Sequence, residues 1–243
     1  MKKFELISFA TPDELARAVA GRWLDEIAAA NREARPHCVA LSGGRITENF
    51  FAATSELARA RKISFGRAHF FWADERCVPP EDPESNFRLA RERLFAPLKI
   101  GGAQIHRIRG ELPPEAAAIQ AVSEIRSIVP FNASGQPVLD LILLGMGPDG
   151  HVASLFPADA LDAGSDPAVF RAVTNSPKPP PNRVTIGYAT IAAARQVWAL
   201  ISGAGKEAAL RESLEVNGRT PFGRVIRSRE MVKIFCDLSL DKT

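Results

Sequence analysis

Cysteine is scarce in this chain. The 243 residues hold three, Cys38, Cys77 and Cys236, far apart and with no CxxC pair. Such an odd, sparse set argues against a disulfide framework and for reduced thiols in a cytoplasmic protein. Long hydrophobic runs are also missing: no stretch approaches the ~18 apolar residues of a membrane span. The opening Met1-Lys2-Lys3-Phe4-Glu5-Leu6 is basic, but Glu5 and Ser8 interrupt the apolar core that a secretory leader needs. A soluble protein that stays in the cytoplasm is expected. Charge of one sign is lacking too, since 31 Lys and Arg nearly balance 28 Asp and Glu for a net +3. The cations are spread along the chain, which gives no footprint for nucleic acid and suits a small anionic ligand. There is no repeat, no GxSxG elbow, no His/Cys spacing of a zinc site and no spare helix-turn-helix. No metal or cofactor is expected.

What is present is the ordinary balance of a globular domain, 46% apolar and 24% charged. Strand-like runs alternate with helical ones. Phe4 to Phe9 reads as a strand, and Thr11-Pro12-Asp13-Glu14 opens a helix with a Thr cap, Pro at the first position and an acid three on. Leu15, Val19, Trp23 and Ile27 recur as its core-facing stripe. Further strands are expected at His37 to Leu41, Ala68 to Trp72, Gln104 to Ile108, Val138 to Leu144, Val184 to Tyr188, Gln196 to Ile201 and Val232 to Cys236. Helices are expected from about Glu48 to Arg61, Asn86 to Leu94, Glu115 to Ile128 and from near Lys206. This alternation predicts an α/β fold, one three-layer α/β/α domain over 1–243 with a mostly parallel, Rossmann-like open sheet.

In such sheets ligands bind outside the carboxyl ends of the strands. Four polar or Gly-rich segments follow the apolar runs there: Ser42-Gly43-Gly44-Arg45, Ala73-Asp74-Glu75-Arg76, Gly145 to His151, and Ser202 to Lys206. The first suits an anion at a helix N-terminus, or equally a tight turn. Arg76 could grip a phosphate or sit in a surface ion pair. Lys206 and Arg183 could reach an anion or be ordinary exposed cations. Ser85-Asn86 reads first as a helix cap. His151 is the most informative of four histidines; His37, His69 and His106 lie in or beside strands and read as structural. An imidazole in a Gly-rich loop can take a proton from water at neutral pH, with Asp149 orienting it. Ser154 reads as a packing or capping residue rather than a nucleophile.

Two motifs mislead. Gly145-Met146-Gly147-Pro148-Asp149-Gly150 matches GxGxxG, but Pro157 cuts short the helix a dinucleotide site needs, and the region of Asp162 and Asp166 reads as loop. Gly203-Ala204-Gly205-Lys206 lacks the first Gly and the Ser/Thr of a P-loop.

Several segments together resemble the 6-phosphogluconolactonase family, the lactonase branch of the glucosamine/galactosamine-6-phosphate isomerase superfamily. They are Trp72-Ala73-Asp74-Glu75-Arg76 with Ser85-Asn86, Gly145 to His151 with Ser154-Leu155-Phe156-Pro157, Pro181-Asn182-Arg183-Val184-Thr185, and Gly203 to Lys206. The order fits from about Phe4 to Cys236. The resemblance implies a sugar-phosphate isomerase-like fold and hydrolysis of 6-phospho-D-glucono-1,5-lactone to 6-phosphogluconate in the oxidative pentose phosphate pathway. It implies His151 as general base with Asp149 holding the ring, and neither metal nor cofactor. Ser42, Gly43, Gly44, Arg76 and Lys206 would clamp the phosphate, with Arg45 either adding a charged contact or pointing away, while Asp74 and Arg183 contact the sugar or order the loops. One departure stands out: Arg45-Ile46-Thr47 follows the glycines where the family usually has Ser or Thr and then Pro. Two rivals remain, a glucosamine-6-phosphate deaminase and a non-catalytic sugar-phosphate-binding module. The deaminases typically carry Ala-Phe-Asn-Glu-Pro after the shared element, and this chain has no acid there.

Overall fold

A computed structural model of the protein describes residues 3–157 and 167–240; Asp162 and Asp166 lie outside the described residues. Six strands form a wholly parallel sheet: β1 (Phe4–Ser8), β2 (His37–Leu41), β3 (Ala68–Trp72), β5 (Leu141–Gly145), β8 (Gln196–Ile201) and β9 (Val232–Cys236). Their order is β1-β9-β8-β5-β2-β3. A second, antiparallel sheet holds β4 (Asp74–Arg76), β7 (Arg183–Ile186) and β6 (Phe170–Val173), in the order β4-β7-β6. The helices include α1 (Pro12–Arg32), α2 (Arg45–Ala60), α3 (Asn86–Ala90), α4 (Ala96–Leu98) and α5 (Pro114–Ile128), the last packed against β6 and β7 of the second sheet. Three more, α6 (Tyr188–Ala193), α7 (Glu207–Leu214) and α8 (Pro221–Arg227), come late in the chain. No helix of the described residues is long and apolar enough to cross a membrane.

The central strands are buried on both faces, and their near-continuous apolar runs follow from that. Helix α1 starts as its sequence directs: the Thr11 hydroxyl accepts the Glu14 amide at 3.2 Å. The Glu14 carboxylate takes the Ala10 amide at 3.1 Å. Leu15, Val19, Trp23 and Ile27 are all buried. Burial of each such side chain contributes roughly 1.5–3 kcal/mol.

Some elements differ from expectation, for local reasons. The apolar run from Val138 enters the sheet only at Leu141, because Val138 donates to Pro130 and the Asp140 carboxylate takes the Cys38 amide at 2.8 Å. Gln104 to Ile108 forms no strand. It makes one bridge, Ile105 to Phe70, while the Gln104 side chain donates to the Phe65 and Ala68 carbonyls. The helix expected over Asn86 to Leu94 is α3, then a π turn at Arg91–Phe95, then α4. Pro97 has no N–H for the Arg93 carbonyl; the wider turn accommodates this, and the Ser55 hydroxyl donates to that carbonyl at 2.7 Å. Strand β7 ends at Ile186, not Tyr188: a Cβ on Gly187 would lie 2.1 Å from the Ala168 carbonyl oxygen, and α6 begins at once. Asp74-Glu75-Arg76 is not a loop but β4, paired with β7 so that Arg76 faces Arg183 and Asp74 faces Thr185.

Strand order then locates the site. After β2 the chain runs outward to β3, and after β5 it runs the other way to β8. The loops leaving β2 and β5 therefore diverge and open a crevice at a topological switch point.

Candidate active site

A cleft of about 380 Å³ occupies that crevice. It is lined by Ser42, Gly43, Gly44 and Arg45 after β2, Asp74 and Arg76 of β4, Gly147 and His151 after β5, Arg183 of β7, and Lys206 after β8. Asp149 lies behind His151. The cleft thus brings together the candidate residues of the sequence except Asp149, which is not in the lining and reaches it through its hydrogen bond with His151.

The β5 loop folds back on itself. Gly147 donates to the His151 carbonyl at 2.9 Å and Gly150 to the Gly147 carbonyl at 3.0 Å. Gly150 has φ +75°, and a Cβ there would strike Thr220, the N-cap of α8. Phe222 donates to the Gly150 carbonyl, which fastens the loop to that helix. The tight turn sets Asp149 Oδ1 2.5 Å from His151 Nδ1. With Nδ1 engaged, Nε2 is the ring nitrogen left to accept a proton. Phe156 packs against the ring at 4.9 Å between centroids.

Burial pushes the imidazole below its usual value. The Asp149 hydrogen bond and charge oppose this, and Lys178 adds to the lowering. Asp149 is pushed up by burial, but its hydrogen bond and ion pairing with His151, and the charge of Lys178, hold it below the ordinary carboxylate range. The pair therefore rests as carboxylate and neutral imidazole at neutral pH, the state a general base requires.

The opposite wall is cationic. Helix α2 begins directly after Gly44, whose φ is +109°, with no side-chain cap. Its first amides lie at the cleft, as an anion would require. Ser42 is turned inward, donating to the Leu143 carbonyl at 2.8 Å. The Thr47 hydroxyl donates to the Gly43 carbonyl at 3.0 Å, so it does not replace the missing family hydroxyl; Arg45 lines the cleft instead. Lys206 sits at the N-terminus of α7, its ammonium pushed down by burial and by Arg45. Arg76 donates from Nη1 to the Glu84 carbonyl at 2.7 Å, while its Nε is buried without a partner among the described residues.

A hydrogen-bonded frame supports these groups. Asp74 accepts the Ser154 hydroxyl at 2.7 Å, and Ser154 is fully buried, so it ties the base loop to β4. Asn86 Nδ2 donates to the Asp74 carbonyl at 2.9 Å. The Asn86 side chain fills the space beside Gly43, where an added Cβ would lie 1.9 Å from Oδ1. Glu75 accepts the amides of Arg76, Asn86 and Phe87 at 2.7–2.8 Å, and burial pushes its carboxyl up to about 7.

The other histidines lie elsewhere. His37 accepts from Trp23 Nε1 in the core, and His69, His106 and Glu124 form a chain beside β3. Two site residues escaped the sequence: Asn86 beyond its helix-start position, and Lys178, whose ammonium touches both Asp149 and His151. Four prolines flanking Lys178 were the available signal for a stiff segment holding one polar side chain.

Comparison with known proteins identifies the family. A family model described as glucosamine-6-phosphate isomerases/6-phosphogluconolactonase matches residues 10–234. A chloroplastic 6-phosphogluconolactonase of Arabidopsis thaliana is 34% identical over 205 residues, 82% of this chain but 62% of the plant protein. This chain thus spans about three fifths of that relative's length. A 6-phosphogluconolactonase of Mycobacterium tuberculosis is 36% identical over 216 residues, covering 85% of this chain and 84% of its own. The solved structure of 6-phosphogluconolactonase from Trypanosoma brucei superposes with a TM-score of 0.82 at 29% identity, covering 98% of this chain and 97% of that one. Matched over nearly its whole length, the chain belongs to the glucosamine-6-phosphate isomerase/6-phosphogluconolactonase family.

Proposed function

We propose that this chain hydrolyses 6-phospho-D-glucono-1,5-lactone to 6-phospho-D-gluconate, the lactone-opening step of the oxidative pentose phosphate pathway. The observation that carries the reading is the Asp149–His151 pair, 2.5 Å apart, in a cleft whose other wall bears Arg45 and Lys206. The relatives' names supply the substrate. A soluble phosphorylated substrate and three free thiols agree with action in the cytoplasm.

In this mechanism His151 Nε2 takes a proton from water as the water oxygen attacks the lactone carbonyl carbon. Asp149 holds the ring through Nδ1 and stabilises the imidazolium that forms. Amides of the Gly-rich loops face the developing oxyanion. The bond from the carbonyl carbon to the ring oxygen then breaks, and that oxygen takes the proton from Nε2. The new carboxylic acid ionises in water. Arg45, Lys206, Arg76 and the first amides of α2 bind the phosphate, and the Ser42-Gly43-Gly44 turn lets it approach the backbone. Asp74 and Arg183 line the sugar side. A positioned general base contributes ~10²–10⁴-fold, enough for a lactone that already hydrolyses unaided.

The deaminase alternative needs an acid just beyond His151. Ser154, Leu155 and Phe156 stand there, all buried. The test is hydrolysis of freshly generated 6-phosphogluconolactone by the wild type and His151→Ala against the spontaneous rate. Rapid turnover that falls to near background in the variant is expected. No turnover above background in the wild type would overturn the reading.

A further inference from the structure

Lys178 has no part in the mechanism above, yet its ammonium lies 3.2 Å from Asp149 Oδ1 and 3.1 Å from His151 Nδ1. The segment presenting it is held from two sides. The Ser176 hydroxyl donates to the Lys178 carbonyl at 2.9 Å and accepts from its amide at 3.2 Å. The Arg183 guanidinium donates to the carbonyls of Lys178, Pro179 and Pro180 at 3.1, 2.9 and 3.1 Å. Pro177, Pro179, Pro180 and Pro181 remove further backbone freedom. The side chain is long, but its anchor is fixed and its tip rests on the base pair.

The proton count fixes what that tip does. A carboxylate oxygen and a ring nitrogen 2.5 Å apart must share a proton, so Nδ1 is the donor to Asp149. Lys178 then donates to Asp149 Oδ1, and its approach to Nδ1 is purely electrostatic.

We propose that Lys178 is a positioning residue for the base: it holds the Asp149 carboxylate ionised and turned onto Nδ1, and it disfavours the imidazolium. This inference rests on the lactonase reading for its role in turnover. The proton taken from water is thereby passed on to the leaving oxygen rather than retained. Other charges face His151 as well. Asp149 lies on its own loop, Asp74 on β4 favours the imidazolium, and Arg183 of β7 lies 5.7 Å from the Phe156 ring that packs on the imidazole. Arg45 and Lys206 stand across the cleft. Among the described residues Lys178 is the cation that reaches hydrogen-bonding distance of the pair, so its removal falls on His151 first.

The experiment combines a nuclear magnetic resonance titration of the His151 Cε1–H in the free protein with pH profiles of lactone hydrolysis. Wild type, Lys178→Met, Lys178→Gln and Lys178→Arg are compared, with His151→Ala assigning the signal and thermal melting reporting folding. Loss of the charge is expected to raise the His151 midpoint by about half a pH unit or more, as removal of a nearby like charge does. The acid limb of kcat/KM moves with it, KM stays within about threefold, and Lys178→Arg restores the limb. An unmoved midpoint in a folded Met or Gln variant overturns the proposal. So does a raised KM with the limb unmoved, which would make Lys178 a phosphate contact. Should the wild type fail to open the lactone, the lactonase reading falls, and the titration still decides whether Lys178 governs the base.

Discussion

A methyl group at Gly147 has no room. An ideal Cβ there would sit 2.0 Å from both Cε1 and Nδ1 of His151 and 2.8 Å from Asp149 Oδ1. Carbon atoms in ordinary contact stand ~3.5–4.0 Å apart, so the ring must retreat by roughly 1.5 Å in Gly147→Ala. It cannot do so and keep Nδ1 on Asp149, because the loop is fastened to α8 behind it and Phe156 packs on its face. A misplacement of about 1 Å costs ~10²-fold in rate, and complete loss of a general base costs up to ~10⁴-fold. Gly147→Ala should therefore lower kcat by about 10²–10³-fold, with KM little changed because the cationic wall is untouched. Gly147 does not lie in the left-handed region, so backbone strain adds nothing, and overpacking should destabilise the fold by about 1–3 kcal/mol. Steady-state kinetics corrected for spontaneous hydrolysis, with melting as the folding control, give the answer. Gly145→Ala is the companion: its Cβ would meet only the Gly43 carbonyl oxygen at 3.8 Å, an ordinary contact, and most activity should survive. A Gly147→Ala protein within threefold of wild type would refute the steric coupling between this glycine and the base.

Further outcomes follow from the charges. The active base is the neutral imidazole, and burial disfavours its protonated form, so activity is present above the folded value and lost as pH falls through it. Half-maximal kcat/KM should lie below the ~6.5 of an unperturbed histidine, read from a pH profile. Arg45→Ala and Lys206→Ala should each raise KM for the phosphorylated lactone by about 10–100-fold, the ~1.5–3 kcal/mol of a charged hydrogen bond, and leave turnover of unphosphorylated gluconolactone unchanged. Burial pushes the Cys38 and Cys77 thiols up to about 12 and about 11, so both should resist a thiol reagent at pH 8 in the native protein and react on unfolding.

Much of this molecule was legible where one local signal had no competitor. The strands at His37, Ala68, Gln196 and Val232 are buried on both faces, and unbroken apolar runs reveal such strands directly. The segments at the carboxyl ends of β2, β5 and β8 follow from those strands and the parallel topology, which is why the base and the Gly-rich turn could be placed together. Legibility failed where partners distant in sequence decide. Strand β4 is three charged residues long and exists because β7, some hundred positions later, pairs with it. Helix α2 starts at Arg45 rather than near Glu48, because Gly44 at φ +109° ends the turn without any side-chain cap to announce it. Asn86 showed its place at a helix start and in the family motif, but not its packing against Gly43. Nothing local marks Lys178 as a site residue, because its meaning comes entirely from a pair nearly thirty residues earlier.

The contact between Gly43 and Asn86 constrains how this site can change through descent. The Asn86 amide occupies the volume that any side chain at position 43 would need, and it also secures the Asp74 carbonyl. Replacement of Gly43 is viable only in a background where position 86 has already become smaller, whereas Asn86 can shrink first with loss of its two side-chain hydrogen bonds to Asp74. Substitutions here must therefore accumulate in one order. Homologues should carry the two positions as a matched pair, and a double variant, Gly43→Ala with Asn86→Gly, should outlive the single Gly43→Ala in a selection for function.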